Sequence, residues 1–185
     1  MNNLKVTPNK KFLAAAGNPH IRLFEVESQT NTPVSSFDGH TSNVTELGFQ
    51  KDAKWMYSSS EDNTVKIWDL RTPSCQREYD NQSSINSVAL HPNQTEIIFG
   101  DLNGCVKVWD LRSNECTKKL VPDGENAIRS INISVDGTKV VAANNRGICF
   151  LWKLAGVDTS TFDPLSKIEA HQNYILKTSI SPDTS

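Results

Sequence analysis

Hydrophobic and polar residues alternate along short segments of this chain, and the alternating pattern repeats roughly every 43 residues. In residues 55–71, WMYSSSEDNTVKIWDLR, an apolar run is followed by a polar turn and then by a second alternating run. Val, Ile and Trp favour a pleated surface, and the Asp62-Asn63 pair favours a tight bend. The segment therefore predicts two short strands joined by a turn.

Aromatic anchors and turn phrases give the same period independently. The anchors Phe24, Trp68, Trp109 and Trp152 are separated by 44, 41 and 43 residues. The turn phrases TPN, QKD, HPN, SVD and SPD, which begin at Thr7, Gln50, His91, Ser134 and Ser181, are separated by 43, 41, 43 and 47 residues. A period of about 40–45 residues that contains four strands is typical of a blade of a WD-repeat β-propeller.

The segment before each turn phrase predicts a strand that is buried on one face only. Apolar residues alternate there with polar or small residues, which is the two-residue period of a half-buried strand. We predict that it is the innermost strand of each blade, with its polar face on the central channel. Its first apolar column contains Met1, Val44, Ile85, Ile128 and Ile175.

Each repeat predicts a four-stranded blade with an inner strand, a strand of small residues, the aromatic strand and an outer strand. Small residues on the second strand let neighbouring blades pack face to face. The predicted fold class is all-β, an incomplete propeller in a single domain, and we expect a piece of a larger ring or a truncated gene product. Blades are predicted at about 1–38, 44–80, 85–122 and 127–170, a lone inner strand at 174–181 and a surface loop at 155–164.

The second repeat resembles the WD-repeat family signature nearly in full, at Gly39-His40, at a serine among residues 58–60, at Asp62 and at Trp68-Asp69. In that family the His, Ser, Asp and Trp form a hydrogen-bonded chain that stiffens the blade, because each buried polar group finds a partner. The residues predicted to have such structural roles are His40, Asp62, Trp68, Trp109 and Trp152.

A closer resemblance comes from phrases outside the generic signature, among them LAAAGNPHIRLFEVES, LHPNQTEIIFGD and VVAANNRGICFLW. They resemble the small WD-repeat subunits of target-of-rapamycin kinase complexes, the G-protein-β-subunit-like proteins, over essentially the whole chain. That family has a seven-bladed ring, of which this sequence is expected to supply four blades and one inner strand. The resemblance implies a non-catalytic scaffold that binds and stabilises the kinase domain of target of rapamycin, a large phosphatidylinositol-kinase-like protein kinase, in nutrient-responsive growth signalling.

The resemblance also implies a kinase-facing rim at the starts of the inner strands. Binding residues of repeat proteins usually lie on such rims of short turns. A Gln-x-Asn phrase opens the first of these strands in the family, and Asn2 matches its Asn. The predicted contact residues are Asn2, Asn43, Asn86, Arg129 and Tyr174, and a solvated rim is the alternative for each of them.

Composition and charge argue against several other functions. The net charge is −2 with mixed acidic and basic residues, so there is no electrostatic footprint for nucleic acid or anionic lipid. No apolar run approaches the roughly 20 residues of a membrane span, and the N-terminal apolar stretch is too short for a secretory signal. We predict a cytoplasmic protein, with any recruitment to endomembranes occurring through partners.

The sequence contains no catalytic constellation, since phosphate-binding loops, nucleophile elbows and zinc-protease motifs are absent from it. We therefore predict no enzyme, no cofactor and no small-molecule substrate. The four histidines fall at repeat-related turn positions and the four cysteines are scattered. Structural roles are expected for both sets rather than metal binding.

Two alternative functions remain open. The phrase Trp-Asp-Leu-Arg ends at Arg71 and again at Arg112, and it resembles the motif by which some WD-repeat proteins dock on cullin-ring ubiquitin ligases as substrate receptors. The simpler interpretation is that Arg is a common, well-tolerated residue at a strand exit. An acid/base role for these Asp and Arg residues is likewise less expected than a solvated pair between the strand-end Asp and the Arg two residues later. The second alternative is a truncated copy that has lost its function, whose open flanks would expose apolar surface.

Overall fold

The computed structural model describes residues 3–28, 30–155 and 161–182. Within these ranges the regular secondary structure consists of strands, and no helix is long and apolar enough to cross a lipid bilayer. Sixteen of the strands form four four-stranded antiparallel sheets, each built from four strands in chain order. The all-β fold class, a partial WD-repeat propeller, is confirmed.

The first of two compact units, Met1–Ile85, contains two of the sheets. Their hydrophobic residues share one buried cluster, in which Phe37 meets the Trp68 ring edge-on with 5.9 Å between ring centroids. The strands are β1 (Asn3–Val6), β2 (Phe12–Ala16), β3 (Ile21–Glu25) and β4 (Ser35–Phe37), followed by β5 (Val44–Phe49), β6 (Trp55–Ser60), β7 (Thr64–Asp69) and β8 (Cys75–Asp80).

The second unit, Asn86–Ser185, contains the other two sheets. Their first strand begins one residue before this unit, at Ile85. Its buried cluster joins residues of both sheets, including Ile98, Ile128 and Trp152. The strands are β9 (Ile85–Leu90), β10 (Glu96–Asp101), β11 (Val106–Asp110) and β12 (Glu115–Leu120), then a short β13 (Pro122–Glu125), and finally β14 (Ile128–Ile133), β15 (Lys139–Asn144), β16 (Ile148–Ala155) and β17 (Thr161–Glu169).

Small residues on the second strand permit close packing between neighbouring sheets. A Cβ atom on Gly100 of β10 would lie 2.3 Å from Cγ2 of Ile128 and 3.0 Å from Cδ1 of Ile131, both on β14. Real Cβ atoms do not approach other carbon atoms so closely. Within the second unit, the absence of a side chain at this position therefore sets how near the third sheet lies to the fourth.

Trp68, Trp109 and Trp152 have equivalent positions in their sheets. Each is buried on the third strand of its sheet, and the outer strand shifts register next to it, as expected for a β-bulge. On the second strand each tryptophan faces an apolar residue. The pairs are Trp68 with Met56, Trp109 with Ile97 and Trp152 with Val140.

The prediction of a surface loop over residues 155–164 is wrong in its extent. β16 continues to Ala155 and β17 begins at Thr161, so that Leu154 pairs with Phe162; residues 156–160 lie outside the described part. Asp163-Pro164 is a local turn signal, but β17 is an outer strand, where a proline removes no inner ladder hydrogen bond. The Phe162 ring, 6.1 Å from that of Trp152, extends the apolar packing along this hairpin.

Segment 174–181, predicted as a lone inner strand, forms no strand ladder in the structure. It nevertheless lies beside β14, where the backbone N–H of Thr178 donates to Ser130 Oγ at 2.9 Å. The N–H of Ile131 donates in the same way to Ser87 Oγ on β9, at 2.9 Å. The segment thus occupies the repeat position of an inner strand, but its contacts to β14 run through a serine side chain rather than through a backbone ladder.

Candidate interaction rim and blade network

A hydrogen-bonded chain of four side chains crosses the second sheet. Trp68 Nε1 on β7 donates to Ser58 Oγ on β6 at 2.8 Å, and Ser58 Oγ lies 2.7 Å from His40 Nε2. His40 Nδ1 lies 2.7 Å from a carboxylate oxygen of Asp62, which sits in the turn between β6 and β7. The structure brings together the four residues that the WD-repeat resemblance singles out in this repeat, and His40, Ser58 and Trp68 are almost completely buried.

Burial and hydrogen bonding define the protonation of His40. Burial lowers the pKa of His40 below its ordinary 6.5, although the hydrogen bond from its ring to Asp62 acts in the opposite direction. The neutral ring therefore donates from Nδ1 to Asp62 and accepts the Ser58 hydroxyl at Nε2. With the Ser58 hydroxyl donating to His40, Ser58 Oγ accepts the indole N–H of Trp68. Every polar group of this four-residue network therefore has a partner.

Asp62 remains the charged member of the network. Burial alone would raise the pKa of Asp62, but hydrogen bonds from the Thr64 hydroxyl and from the Thr41 N–H outweigh it and, together with His40, hold that pKa below its ordinary value. The Thr64 hydroxyl is 2.7 Å from Asp62 Oδ1. An ionised carboxylate thus anchors the turn between β6 and β7.

In the third and fourth sheets, a different side-chain hydrogen bond closes the equivalent turn, and the sequence pattern did not predict it. Asp101 Oδ1 accepts the N–H of Cys105 at 2.9 Å, and Asn144 Oδ1 accepts the N–H of Ile148 at 3.0 Å. Both side chains are buried at the end of the second strand, where the second sheet has Ser60. The signal in the sequence is a polar residue at this position of three repeats, and Asp and Asn favour such turns.

The histidines outside this network lie against different partners. His20 Nδ1 is 2.6 Å from Asp38 at the surface, and buried His91 places Nε2 3.0 Å from the carbonyl of Gly137. His171 is exposed, and its backbone N–H donates to Gly147 O at 3.1 Å.

Two of the predicted rim residues donate side-chain hydrogen bonds to other residues of the same chain. The Asn86 amide donates to the carbonyl of Ile128 at 2.9 Å and so ties β9 to the start of β14. The Asn43 amide reaches Glu61 Oε1 at 3.3 Å, in the first unit. Asn2 lies outside the described residues. Both amides are half-buried, and their positions favour a structural contribution beside any role in binding.

Arg129 and Tyr174 present exposed side chains at one end of the fourth sheet. The β14–β15 pairing shifts register between Ile128 and Ser130, so Arg129 is the extra residue of a β-bulge and stands outside the regular alternation. Bulges re-aim side chains in this way, often next to functional sites. Tyr174 is 60% exposed, and the N–H of the next residue, Ile175, donates to Asn144, which pairs with Ile128.

The two Asp-Arg phrases form ion pairs at strand ends. Arg71 contacts Asp69 through Nε at 3.1 Å and through Nη2 at 2.7 Å, and these hydrogen bonds lower the pKa of Asp69 to about 2. Arg112 lies farther from Asp110, with 3.5 Å between Nε and Oδ1. The solvated pair expected from the sequence is present in both repeats.

Comparison with known proteins places this geometry in a family. A family model described as "WD domain, G-beta repeat" matches residues 31–69 and 73–110. "Protein LST8 homolog" of Dictyostelium discoideum is 59% identical over 184 residues, covering 100% of this chain and 60% of its own length. "Target of rapamycin complex subunit LST8-1" of Arabidopsis thaliana is 58% identical over 184 residues, covering 98% of this chain and 60% of its own length.

A further relative has a name that bears on function. "Non-functional target of rapamycin complex subunit LST8-2" of Arabidopsis thaliana is 52% identical over 185 residues, covering 98% of this chain and 59% of its own length. The chain thus spans about 60% of the length of the curated relatives that it matches.

Proposed function

We propose, from the premise that this chain belongs to the WD-repeat family and is homologous to the LST8 proteins over its whole length, that it acts as a non-catalytic subunit of a target of rapamycin complex. The observation that carries the proposal is the 58% identity, across 98% of the chain, to a protein named as such a subunit. In this function the chain contributes surface rather than chemistry. It binds and stabilises the kinase domain in nutrient-responsive growth signalling, in the cytoplasm.

The rim at the starts of the inner strands supports this function through its geometry. Arg129 stands on a bulge of a sheet strand, and exposed Tyr174 lies at the same end of that sheet. Arg and Tyr are enriched among residues that contribute most to protein–protein interfaces. Side chains held by a sheet lose less conformational entropy on binding than side chains on a long loop. We place the kinase contact on these two residues, with Asn43 and Asn86 as supports and Asn2 as a further candidate.

Co-purification with the kinase tests the proposal. The full chain carrying Arg129→Glu and Tyr174→Ala should recover at least about tenfold less target of rapamycin kinase than the unsubstituted chain, because an anchor residue typically contributes 2 kcal/mol or more. The matched control is Arg71→Ala with Arg112→Ala, which removes two exposed arginines from strand ends and should leave recovery unchanged. Absence of the kinase from purifications of the unsubstituted chain would contradict the proposal.

The same variants separate the two alternatives from the main proposal. If the chain were a substrate receptor of a cullin-ring ubiquitin ligase, the Arg71 and Arg112 substitutions would abolish adaptor binding and the rim substitutions would not. If it were a copy without function, as the name of one relative says of that protein, the folded chain would recover neither the kinase nor the adaptor.

A further inference from the structure

Thr72 lies in an exposed segment directly after β7 and is followed by Pro73. The chain turns at Pro73, where the N–H of Ser74 donates to the carbonyl of Thr72 at 2.6 Å. Protein kinases bind the acceptor segment in an extended form in their cleft, and one class of them selects a proline after the acceptor. Thr72 thus combines exposure with this selected neighbour, and the Ser74–Thr72 hydrogen bond has to open for the segment to extend in such a cleft.

Arginine next to the hydroxyl distinguishes Thr72 from the other hydroxyl residues that precede proline. The sequence has four such pairs, at Thr7, Thr32, Thr72 and Ser181, and only Thr72 follows an arginine. The side chain of that arginine, Arg71, is 81% exposed. Asp69 holds its Nε and Nη2, so the remaining guanidinium N–H groups are available to a second anion.

Two hydroxyl residues in the same chain serve as internal comparisons. Thr7 also precedes a proline, but it is only 2% exposed and its hydroxyl is 2.6 Å from Asn9 Oδ1. Ser113 stands at the repeat position of Thr72, after Arg112, and is exposed. However, Asn114 rather than a proline follows it, with φ of 61°, and the Asn114 N–H donates to Asp110 O at 2.9 Å.

We propose that Thr72 is a phosphorylation site for a proline-directed protein kinase, and that the phosphate forms an ion pair with Arg71. In the transfer, Thr72 Oγ1 attacks the γ-phosphorus of ATP, its proton passes to the kinase's catalytic carboxylate, and the bond to the leaving ADP oxygen breaks. The products are phosphothreonine and ADP. This inference does not depend on the function proposed above.

The phosphate would change the charge at the end of β7 and the arrangement around Arg71. A phosphothreonine carries a charge of about −1.5 to −2 near pH 7 and has three strong acceptor oxygens. Its repulsion from the Asp69 carboxylate is opposed by Arg71, which lies between the two anions in sequence and can bond to both. Arg–phosphate pairs are among the strong, charge-assisted hydrogen bonds of proteins.

Site mapping tests the first half of the proposal. The folded full chain is incubated with a proline-directed kinase, magnesium and ATP, and the modified residues are identified by mass spectrometry. We expect phosphate on Thr72 and none on Thr7 or Ser113, and Pro73→Ala should slow modification of Thr72 by about tenfold or more. Failure of Thr72 to react in the folded chain, while a proteolytic digest of the same chain reacts there, would overturn the proposal.

Phosphorus NMR tests the ion pair with Arg71. In the phosphorylated chain, the pKa of the phosphate should lie below that of the same phosphothreonine in a digest, because a nearby cation favours the dianion. Arg71→Gln should return this pKa to the digest value, whereas the matched variant Arg112→Gln should leave it unchanged. A phosphate pKa that Arg71→Gln does not move would refute the ion pair.

Discussion

His20 and His40 both place Nδ1 within 2.7 Å of an aspartate, yet burial gives the two pairs different energetic weight. The His20–Asp38 pair is exposed, and exposed ion pairs contribute about 0–1 kcal/mol. The His40–Asp62 pair is almost fully buried, and removal of one member leaves a buried charge without its partner.

We expect His40→Ala to lower the free energy of unfolding by about 3 kcal/mol, because Asp62 and Ser58 both lose a buried hydrogen bond. The matched variant His20→Ala should change it by less than about 0.5 kcal/mol. Urea unfolding of the two variants beside the unsubstituted chain measures both values. Equal losses in the two variants would contradict the role assigned to the buried network.

The lowered pKa of His40 also predicts how stability depends on pH. The unfolded chain binds a proton on this residue near its ordinary pKa of 6.5, whereas the folded chain does so only at lower pH. The unfolded state therefore binds more protons as the pH falls through about 6.5, so the contribution of His40 is complete above that pH and decreases below it.

Urea unfolding midpoints compared at about pH 7.5 and about pH 5.5 check this dependence. The unsubstituted chain should lose stability at the lower pH, and His40→Gln, which does not titrate, should lose less. The lowered pKa of Asp62 adds a decrease in the same direction, but at more acidic pH, near its ordinary value of 3.8 and below. An unchanged pH dependence in His40→Gln would show that other groups are responsible.

Packing between strands of neighbouring sheets is the next scale at which the sequence acts. Gly100 on β10 lies so close to Ile128 on β14 that even a methyl group would collide with it. We expect Gly100→Val to lower the free energy of unfolding by about 2 kcal/mol, since added bulk in a packed core forces side chains and backbone apart.

A double-mutant cycle identifies the colliding partner. Ile128→Ala removes the Cγ2 atom nearest to Gly100, so the double variant should lose about 1 kcal/mol less than the sum of the two single losses. Calorimetric or urea unfolding of the four proteins gives this coupling. Additive losses would mean that the two strands do not meet at these residues.

The elements that could be predicted from the sequence are those in which local pattern and tertiary packing agree. The strand of Trp68, for example, has an alternating pattern, a preceding Asp-Asn turn and a buried partner in Met56. The start of β17 could not be predicted, because Asp163-Pro164 is a turn signal that the apolar pairing of Phe162 overrides. The bulge at Arg129 also escaped prediction, since one extra residue hardly alters a period near 43.

The candidate rim was predictable only as a set of positions. The repeat alignment found where the inner strands begin, but the same column contains Asn86, whose amide is bonded to Ile128 O, and Arg129, whose side chain is exposed. Periodicity cannot distinguish these two situations, because both side chains are polar. The polar residues that close the turns after β10 and β15 escaped for a related reason, since Asp and Asn cap turns only in a particular backbone geometry.

At the scale of the whole molecule, the chain is a series of WD-repeat blades whose proposed role is to carry a binding rim. The proposal requires that the starts of the inner strands, rather than the outer strands, meet the kinase. The outer strands β8 and β12 are largely exposed and have charged side chains, which is how sheet edges commonly avoid further pairing. They therefore provide a comparison surface within the same chain.

Amide hydrogen exchange of the full chain, alone and in complex with the target of rapamycin kinase, measures this directly. Slower exchange in the complex is expected around Arg129 and Tyr174, with no change along β8 and β12. Slower exchange confined to the outer strands, with the two rim segments unaffected, would contradict the account.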